Sequence, residues 1–354
     1  MVEKVCFTIF LCLSACLATL FPEVNGARRQ PQDNKLILNG PEKLFVFGDS
    51  YADTGNWPST DTSRSWREPY GMTFPGKPSG RWSDGRVLTD YIAAYLGIGS
   101  PQPYNLWKAD GEAKQYGMNF AYGGAGVFDT IEGCPNMATQ INYLQQLLQQ
   151  NVYTKHDLTS SVALATSVGN DYGNYHGQEE FVESITKQIS VNLKRIHEMG
   201  VPKVAVTAMQ PLGCLPLVAF STGNYPNCDQ NTNNITRFHN QMLKQRIDQL
   251  NYQTDGSPFV VLDLYAAFTS ALNIKHDQHP GKSSFPHPLA PCCHGKCGEV
   301  DLSGKKEYGV CDDPKVAFFW DLTHPSQQGW FAVYSGLKSS LPHLFQPQQA
   351  TAIV

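Results

Sequence analysis

A serine, a histidine and an aspartate stand in this chain at positions where they could act together on an acyl group. Ser50 follows Gly48 and Asp49 at the end of an apolar run, and Asp321 and His324 lie three residues apart near the other end of the chain. A serine hydroxyl is a weak nucleophile until a histidine takes its proton, and a carboxylate orients that histidine and stabilises its charged form. These residue types therefore predict nucleophilic acyl transfer, provided that the fold brings them together.

The same chemistry needs hydrogen-bond donors for the negative charge that develops on the former carbonyl oxygen. The candidates are the backbone N–H groups of Ser50 and Gly124 and the side-chain amide of Asn170. Glycine lets the backbone approach a substrate closely, and asparagine contributes a neutral donor. The choice of Gly124 over Gly123 rests on counting from Asn119.

Alternating strands and helices are expected to position these residues. Apolar runs predict short buried strands near 43–47, 118–121, 161–168, 203–208 and 259–264. Helical patterns are centred near 87–96, 141–148, 178–199 and 233–252, and a last helix begins at about Ser326. Such alternation indicates a parallel sheet covered on both faces. The sequence therefore predicts an α/β fold, a doubly wound three-layer domain with about five parallel strands. The predicted loop at 57–80 and an insertion at about 273–313 are expected to lie at the carboxyl edge of the sheet, the edge at which open α/β sheets bind ligands.

The first residues predict a secretory signal. Lys4 precedes an apolar stretch at 5–21, and Val24 and Gly26 supply small residues before a cleavage point ahead of Ala27. We expect a signal peptide at 1–26, a single domain at 27–354 and a secreted protein. A membrane anchor is the alternative interpretation of 1–26, and the vacuole is an alternative destination to the extracellular space.

Ten cysteines are present, of which seven follow the predicted leader. In an oxidising compartment we expect Cys214 to pair with Cys228 and Cys134 to stay unpaired. The remaining four should pair among themselves: Cys292, Cys293, Cys297 and Cys311. Zinc binding by Cys292, Cys293, His294 and Cys297 is the less favoured alternative, with further ligands from His276, His279 and His287. We therefore expect no metal site.

The composition excludes some partners. The 354 residues are 41% hydrophobic and 16% charged, which is ample for a sizeable core. A net charge of −4 does not indicate a basic surface that would bind a polyanion, so nucleic acid is not an expected partner. No stretch after the leader is apolar enough to predict a stable membrane anchor. Asn234 begins the one glycosylation sequon, Asn-Ile-Thr.

Four blocks in order resemble those of the GDSL esterases/lipases, also called SGNH hydrolases, in their plant secreted branch. The blocks are FGDSYADTGN at 47–56, NFAYGGAG at 119–126, GND at 169–171 and DLTHP at 321–325, and GRWSDGR at 80–86 also matches that branch. Block order and approximate spacing agree over about 43–340. One departure is Tyr51, which stands where the family name has leucine and could alter substrate fit.

The resemblance implies a flavodoxin-like α/β/α sandwich that hydrolyses small-molecule or lipid carboxylic esters without a cofactor. When the roles of the family's motif residues are transferred block by block, the resemblance implies that Ser50 is the nucleophile and an oxyanion donor. Gly124 and Asn170 are then the other donors. His324 is the base, and Asp321 is the acid that orients it.

Two other functions fit the same residues. An alcohol or phenolic metabolite could replace water as the acyl acceptor, which would make the protein an acyltransferase, and product analysis with competing acceptors would separate the two. A catalytically inert binding scaffold is the other alternative, although no member of the triad is lost. Phosphate binding by the glycines at 123–126 is disfavoured, because the loop lacks the Gly-Lys-Ser/Thr ending.

Overall fold

A parallel sheet lies at the centre of the protein. The computed structural model describes residues 40–59, 63–111, 115–167, 169–174, 179–275, 279–280 and 284–345, all within one compact unit at 39–354. The predicted leader at 1–26 and the first residues of the predicted domain, 27–39, lie outside the described residues.

Six strands form this sheet, and every pairing within it is parallel. They are β1 (Lys43–Phe47), β2 (Gln102–Pro103), β3 (Gly117–Asn119), β4 (Ser161–Ala165), β5 (Lys203–Ala208) and β6 (Phe259–Asp263). Their order across the sheet is β2-β3-β1-β4-β5-β6. The prediction of about five strands missed β2, because a two-residue edge strand that contains a proline leaves no apolar run to detect.

Nine helices are seen in the described ranges, and together they cover both faces of the sheet. They are α1 (Leu88–Tyr95), α2 (Tyr104–Asp110), α3 (Met137–Gln149), α4 (Lys155–Thr159), α5 (Glu179–Glu198), α6 (Pro216–Ser221), α7 (Gln230–Gln253), α8 (Leu264–Ala271) and α9 (Gln327–Leu337). The predicted helices correspond to α1, α3, α5, α7 and α9. None of the helices in the part of the chain described here has the length and apolarity to cross a bilayer.

The side chains of β1 alternate between two apolar cores. Leu44 and Val46 pack into a core shared with α1, α8 and α9, whereas Phe45 and Phe47 pack into one shared with α3, α5 and α7. All four are fully buried. Burial of an apolar side chain of this size contributes about 1.5–3 kcal/mol, so β1 is fixed from both faces. The result is the predicted three-layer α/β/α sandwich.

Side-chain caps set where the main helices begin. Asn136 accepts the N–H of Thr139 at the start of α3, and Asp229 accepts that of Thr232 at the start of α7. Ser326 accepts the N–H of Gly329 and so begins α9 two residues after His324. Each cap satisfies an N–H that the first helical turn would otherwise leave unpaired.

The predicted insertion contains two antiparallel strand pairs. Strand β7 (Ile274–Lys275) pairs with β8 (His279–Pro280), and β9 (Cys293–Val300) pairs with β10 (Lys306–Val310). Disulfides join Cys292 to Cys311 and Cys293 to Cys297 within it. The expected pairing within this cluster is therefore confirmed.

The other cysteine predictions are confirmed as well. Cys214 is bonded to Cys228, and Cys134 forms no disulfide. Because the four cysteines of the insertion are bonded to each other, their thiolates are not available to zinc. No group of metal-ligating side chains is present among the described residues, and His276 of the zinc alternative lies outside them.

Gly48, which ends β1, should not tolerate a side chain. Its φ is +136°, and an added Cβ would lie 2.0 Å from Oγ1 of Thr166 on the neighbouring strand end. We expect Gly48→Ala to lower the free energy of unfolding by about 3 kcal/mol or more, through strain and overlap together. Urea unfolding of the oxidised protein measures this loss.

Gly97→Ala is the matched control, because Gly97 also has a positive φ of +75° but meets nothing within 4 Å of an added Cβ. We expect a loss of only about 1 kcal/mol there, from backbone strain alone. Equal losses in the two variants would contradict the close approach at Gly48.

Candidate active site

Ser50 lies on a sharp turn directly after the central strand β1. The turn is held at Gly48, whose N–H donates to Oε1 of Gln140 at 2.7 Å and whose carbonyl accepts from Nε2 of Gln140 at 2.8 Å. Oδ1 of Asp49 accepts the N–H of Tyr51 at 3.1 Å, as expected for an aspartate that stabilises the turn. Ser50 is thus presented at the carboxyl edge of the sheet, where it is 8% exposed.

The structure brings Ser50, His324 and Asp321 into one line of hydrogen bonds. Nε2 of His324 lies 2.9 Å from Oγ of Ser50, and Nδ1 lies 2.8 Å from Oδ2 of Asp321. All three side chains are buried. The imidazole is therefore placed to take the serine proton at one nitrogen while the carboxylate holds the other.

The carboxylate of Asp321 is buried but is surrounded by hydrogen-bond donors. Burial alone would raise the pKa of Asp321, but the charge and hydrogen bond of His324, the N–H of Thr323 and the hydroxyl of Tyr70 together lower it to about 2. The Tyr70 hydroxyl donates to Oδ2 at 2.8 Å, and the backbone N–H groups of Thr323 and His324 donate to Oδ1 at 2.9 and 2.8 Å. The carboxylate therefore stays ionised at neutral pH and is fixed in orientation.

Two contacts fix His324: a stacked aromatic ring against its imidazole, and a hydrogen bond to its backbone carbonyl. The indole of Trp82 stacks on it, with ring centroids 5.2 Å apart and planes inclined by 26°. The carbonyl of His324 accepts the N–H of Trp320 at 2.7 Å. An aromatic face of this kind favours a cation next to it, so Trp82 suits the imidazolium that proton transfer creates.

Three donors converge on the space beside Ser50. The N–H of Gly123 donates to Oδ2 of Asp53 at 2.8 Å and is therefore occupied. The N–H groups of Ser50 and Gly124, by contrast, have no hydrogen-bond partner among the residues that the structure describes. Nδ2 of Asn170 donates one hydrogen to the carbonyl of Ala125 at 2.9 Å, which leaves its second hydrogen for a ligand. This pattern favours Gly124 over Gly123 as the predicted donor.

The first two sequence blocks are tied together by buried side chains. Asp53 accepts the N–H groups of Gly55, Asn56 and Trp57 as well as that of Gly123. Burial raises the pKa of Asp53 to about 6, although these four donors act in the opposite direction. Nδ2 of Asn119 donates to the carbonyl of Ala52 at 2.7 Å. These contacts fix the distance between the serine turn and the glycine turn.

The third block is tied to the glycine turn in the same way. The carboxylate of Asp171 accepts the N–H groups of Val127 and Phe128, each at 2.9 Å. Because Asp171 follows Asn170 directly, this clamp sets the position of the Asn170 amide relative to Gly124. All predicted donors thereby border one space.

That space is a mostly apolar cavity of about 450 Å³. Ser50, Gly124, Asn170 and His324 line it, so the structure brings four of the five predicted site residues to its wall. Asp321 lies behind His324. Aromatic and aliphatic side chains line most of the rest of it: Tyr51, Trp57, Trp82, Ile131, Tyr172, Leu212, Leu215, Leu217 and Val218. The polar side chains of Gln210, Thr232 and Thr323 also reach its wall.

Sequence reasoning missed Tyr70 and Trp82 as residues of the site. Tyr70 lies in the 57–80 loop, which is predicted to lie at the carboxyl edge of the sheet, and Trp82 lies within the 80–86 block. Their contacts with Asp321 and His324 span more than 240 residues of sequence, so no local pattern could predict them. Asn234 lies on the exposed face of α7, where its glycosylation stays a prediction.

The sheet, the crevice at its carboxyl edge and the buried Ser-His-Asp line define a serine hydrolase of the α/β/α class. A family sequence profile, that of the GDSL-like lipase/acylhydrolases, matches residues 44–335. The chain belongs to this GDSL lipase/acylhydrolase family, which confirms the resemblance.

The chain is similar to two GDSL esterases/lipases of Arabidopsis thaliana. One GDSL esterase/lipase of Arabidopsis thaliana is 48% identical over 351 residues, covering 95% of this chain and 96% of its own. A second one is 48% identical over 327 residues, covering 88% of this chain and 91% of its own. An extracellular lipase structure from Streptomyces rimosus aligns with a TM-score of 0.34 at 13% identity, over 84% of this chain and 99% of that chain. That score is too low to support a conclusion.

Asp321 should stabilise the fold in a pH-dependent way. Its pKa in the folded protein, about 2, is below the ordinary value of 3.8, so its contribution is present above pH 3.8 and is lost as the pH falls through about 2. This contribution is about 2 kcal/mol. We expect Asp321→Asn to lower the free energy of unfolding at neutral pH and to flatten its decline in acid. Urea unfolding of both proteins across this pH range tests the prediction. If the free energy of unfolding fell equally steeply in acid for wild type and Asp321→Asn, the prediction would be wrong.

Tyr70 should act through Asp321. It does not line the cavity, so we expect Tyr70→Phe to lower kcat by roughly five- to tenfold with KM unchanged, because the carboxylate loses a charged hydrogen bond. Steady-state kinetics on a soluble ester measures both constants. Tyr153→Phe is the control, since that buried hydroxyl has no partner in the described ranges. An equal loss in both variants would show that Tyr70 is only structural.

Proposed function

We propose that the protein hydrolyses carboxylic esters through an acyl-enzyme on Ser50. The observation that carries the proposal is the position of His324, whose ring nitrogens lie 2.9 Å from Oγ of Ser50 and 2.8 Å from Oδ2 of Asp321. The family and its relatives, which are named esterases/lipases, support the same class of reaction.

Acylation begins when Oγ of Ser50 attacks the ester carbonyl and its proton passes to Nε2 of His324. The carbonyl oxygen becomes an oxyanion, which accepts hydrogen bonds from the N–H groups of Ser50 and Gly124 and from the Asn170 amide. Each such donor can lower the barrier by about 3–4 kcal/mol in a site shielded from water. As the intermediate collapses, His324 gives its proton to the departing alkoxide, and an acyl-enzyme remains.

Deacylation repeats these steps with water as the nucleophile. His324 takes a proton from the water, and the resulting hydroxide adds to the acyl carbon. Ser50 then leaves with the proton from His324, and the carboxylic acid is released. Asp321 stays ionised throughout, which its pKa of about 2 supports, and it stabilises the imidazolium in both halves of the reaction.

The substrate belongs to the uncharged esters. The cavity beside Ser50 is lined mainly by apolar side chains, and among the described residues that line it there is no lysine, arginine, aspartate or glutamate. An ester with apolar substituents would displace water from this wall on binding. The reaction needs no cofactor, because side chains and backbone groups of this chain supply the nucleophile, the base and the oxyanion donors.

We further propose that the protein is secreted, with a signal peptide at 1–26, a single hydrolase domain at 27–354 and glycosylation at Asn234. Three disulfides support this destination, because such bonds persist in oxidising compartments. Mass spectrometry of the protein recovered from a plant expression host would identify its first residue and any glycan on Asn234.

Ser50→Ala should abolish turnover. With p-nitrophenyl butyrate as substrate, we expect kcat/KM to fall at least a thousandfold, because the remaining donors cannot replace the nucleophile. The variant should also lose labelling by a serine-directed fluorophosphonate. Ser335→Ala is the control, since Ser335 is an exposed serine of α9 whose hydroxyl donates to the carbonyl of Phe331. Turnover that survives intact in a folded Ser50→Ala protein would refute the proposal.

A further inference from the structure

The side chain directly after the nucleophile reaches the turn that carries the base. Oη of Tyr51 donates to the carbonyl of Thr323 at 2.8 Å, across 272 residues of sequence. Tyr51 follows Ser50, and Thr323 precedes His324. This hydrogen bond therefore runs beside the contact between Oγ of Ser50 and Nε2 of His324, and it joins the same two turns.

The peptide group that accepts from Tyr51 is also bonded at its nitrogen. Its carbonyl belongs to Thr323 and its N–H belongs to His324, and that N–H donates to Oδ1 of Asp321 at 2.8 Å. A peptide group that accepts at its oxygen and donates at its nitrogen is polarised, which strengthens both hydrogen bonds. Tyr51 thus acts on the peptide that connects the base to the acid.

Aromatic contacts hold the Tyr51 ring in place. The ring stands edge-on to that of Trp330, with centroids 4.9 Å apart, and lies nearly parallel to that of Phe268 at 6.3 Å. Both partners are fully buried, and Tyr51 itself is 2% exposed. Edge-to-face and offset pairs of aromatic rings are favourable. Because Trp330 lies in α9, these contacts also tie the nucleophile turn to the helix that begins after His324.

The Tyr51 hydroxyl keeps its proton at neutral pH. Burial raises the pKa of Tyr51 well above its ordinary value of 10.0, and the charges of Asp49 and Asp321 raise it further. The hydroxyl therefore remains a donor while the enzyme works. Although Tyr51 lines the cavity, its one hydroxyl proton is used by the Thr323 carbonyl and is not offered to a substrate.

Leucine, which the family name has at this position, could not make the same contacts. A leucine side chain has no hydrogen-bond donor, so the Thr323 carbonyl would lose its bond to the nucleophile turn. The ring contacts with Trp330 and Phe268 would be lost as well. The tyrosine of this chain therefore adds a link between the two turns that leucine cannot supply.

We propose that Tyr51 is a positioning residue whose hydroxyl fixes the peptide between Thr323 and His324 and so sets the position of the His324 ring relative to Oγ of Ser50. Its effect on turnover rests on the proposed esterase function, whereas its effect on the His324 ring does not. A small displacement of a base from its nucleophile slows the reaction strongly and leaves substrate binding unchanged.

The first test is the steady-state kinetics of Tyr51→Phe on p-nitrophenyl butyrate. Phenylalanine keeps the ring and its contacts and removes only the hydroxyl. We expect kcat to fall about fivefold with KM unchanged, as for the loss of one hydrogen bond. Tyr51→Leu should lower kcat at least as much and should also change KM, because it alters the cavity wall. A changed KM with the wild-type kcat in Tyr51→Phe would mean that Tyr51 acts on the substrate instead.

Tyr91→Phe is the matched control. Oη of Tyr91 also donates to a distant backbone carbonyl, that of Gln327 at 2.9 Å, but this carbonyl lies outside the turn at 321–324. We expect both variants to lower the urea midpoint of unfolding by similar amounts and only Tyr51→Phe to lower kcat. An equal fall in kcat in the two variants, or the wild-type kcat in a folded Tyr51→Phe protein, would overturn the positioning role.

The second test needs no turnover. The ionised carboxylate of Asp321 can only accept, so Nδ1 of His324 carries a proton, which should give a far-downfield signal in the proton NMR spectrum. Loss of this signal in His324→Gln assigns it. In Tyr51→Phe we expect the proton to exchange with water about fivefold faster, because the turn that holds the ring has lost a hydrogen bond. In Tyr91→Phe it should exchange at the wild-type rate.

The two tests separate this inference from the proposed function. An unchanged exchange rate together with an unchanged kcat in Tyr51→Phe, in a protein whose ester turnover requires Ser50, would overturn the role of Tyr51 and leave the esterase function standing. Faster exchange in Tyr51→Phe, in a protein that turns over no ester, would instead support the role of Tyr51 and overturn the esterase function alone.

Discussion

The hydrogen bonds of the Asp321 carboxylate are the interaction on which the rest of the site depends. This one buried group accepts from His324, from the backbone that follows it and from the hydroxyl of Tyr70. A buried carboxylate is unfavourable unless donors surround it, and here they do so well enough to bring its pKa to about 2. The position of the His324 ring, whose Nε2 lies 2.9 Å from Oγ of Ser50, follows from how these donors fix the carboxylate.

Distant parts of the chain meet at this point because the sheet is parallel. The carboxyl ends of β1, β3 and β4 lie at one edge, so the residues that follow each strand share a crevice. Further side chains then set the distances: Asp53 joins the serine turn to the glycine turn, and Asp171 joins the glycine turn to the Asn170 segment. The donors are thus held before a substrate arrives, which is the condition for strong stabilisation of an oxyanion.

The aromatic and the aliphatic side chains that line the cavity come from different kinds of structure. Trp57 and Trp82 flank the long loop after the serine turn, whereas the leucines of the lining belong to a segment closed by the Cys214–Cys228 disulfide. A closed segment loses less conformational freedom on ordering than an open one, so it can present exposed apolar side chains in a defined arrangement. Substrate preference can therefore change in this segment while the Ser-His-Asp line stays as it is.

Local signals in the sequence predict the fold class and the five candidate site residues. Apolar runs that end at Gly48 or before Asn170 identify buried strands and the edge where they stop, and the ordered blocks place Ser50 and His324. The occupied N–H of Gly123, which favours the predicted Gly124 as the donor, and the contact of Tyr70 with Asp321 are seen only in the tertiary structure. Both depend on which donors are already occupied by residues far away in the chain, and sequence spacing carries no information about that.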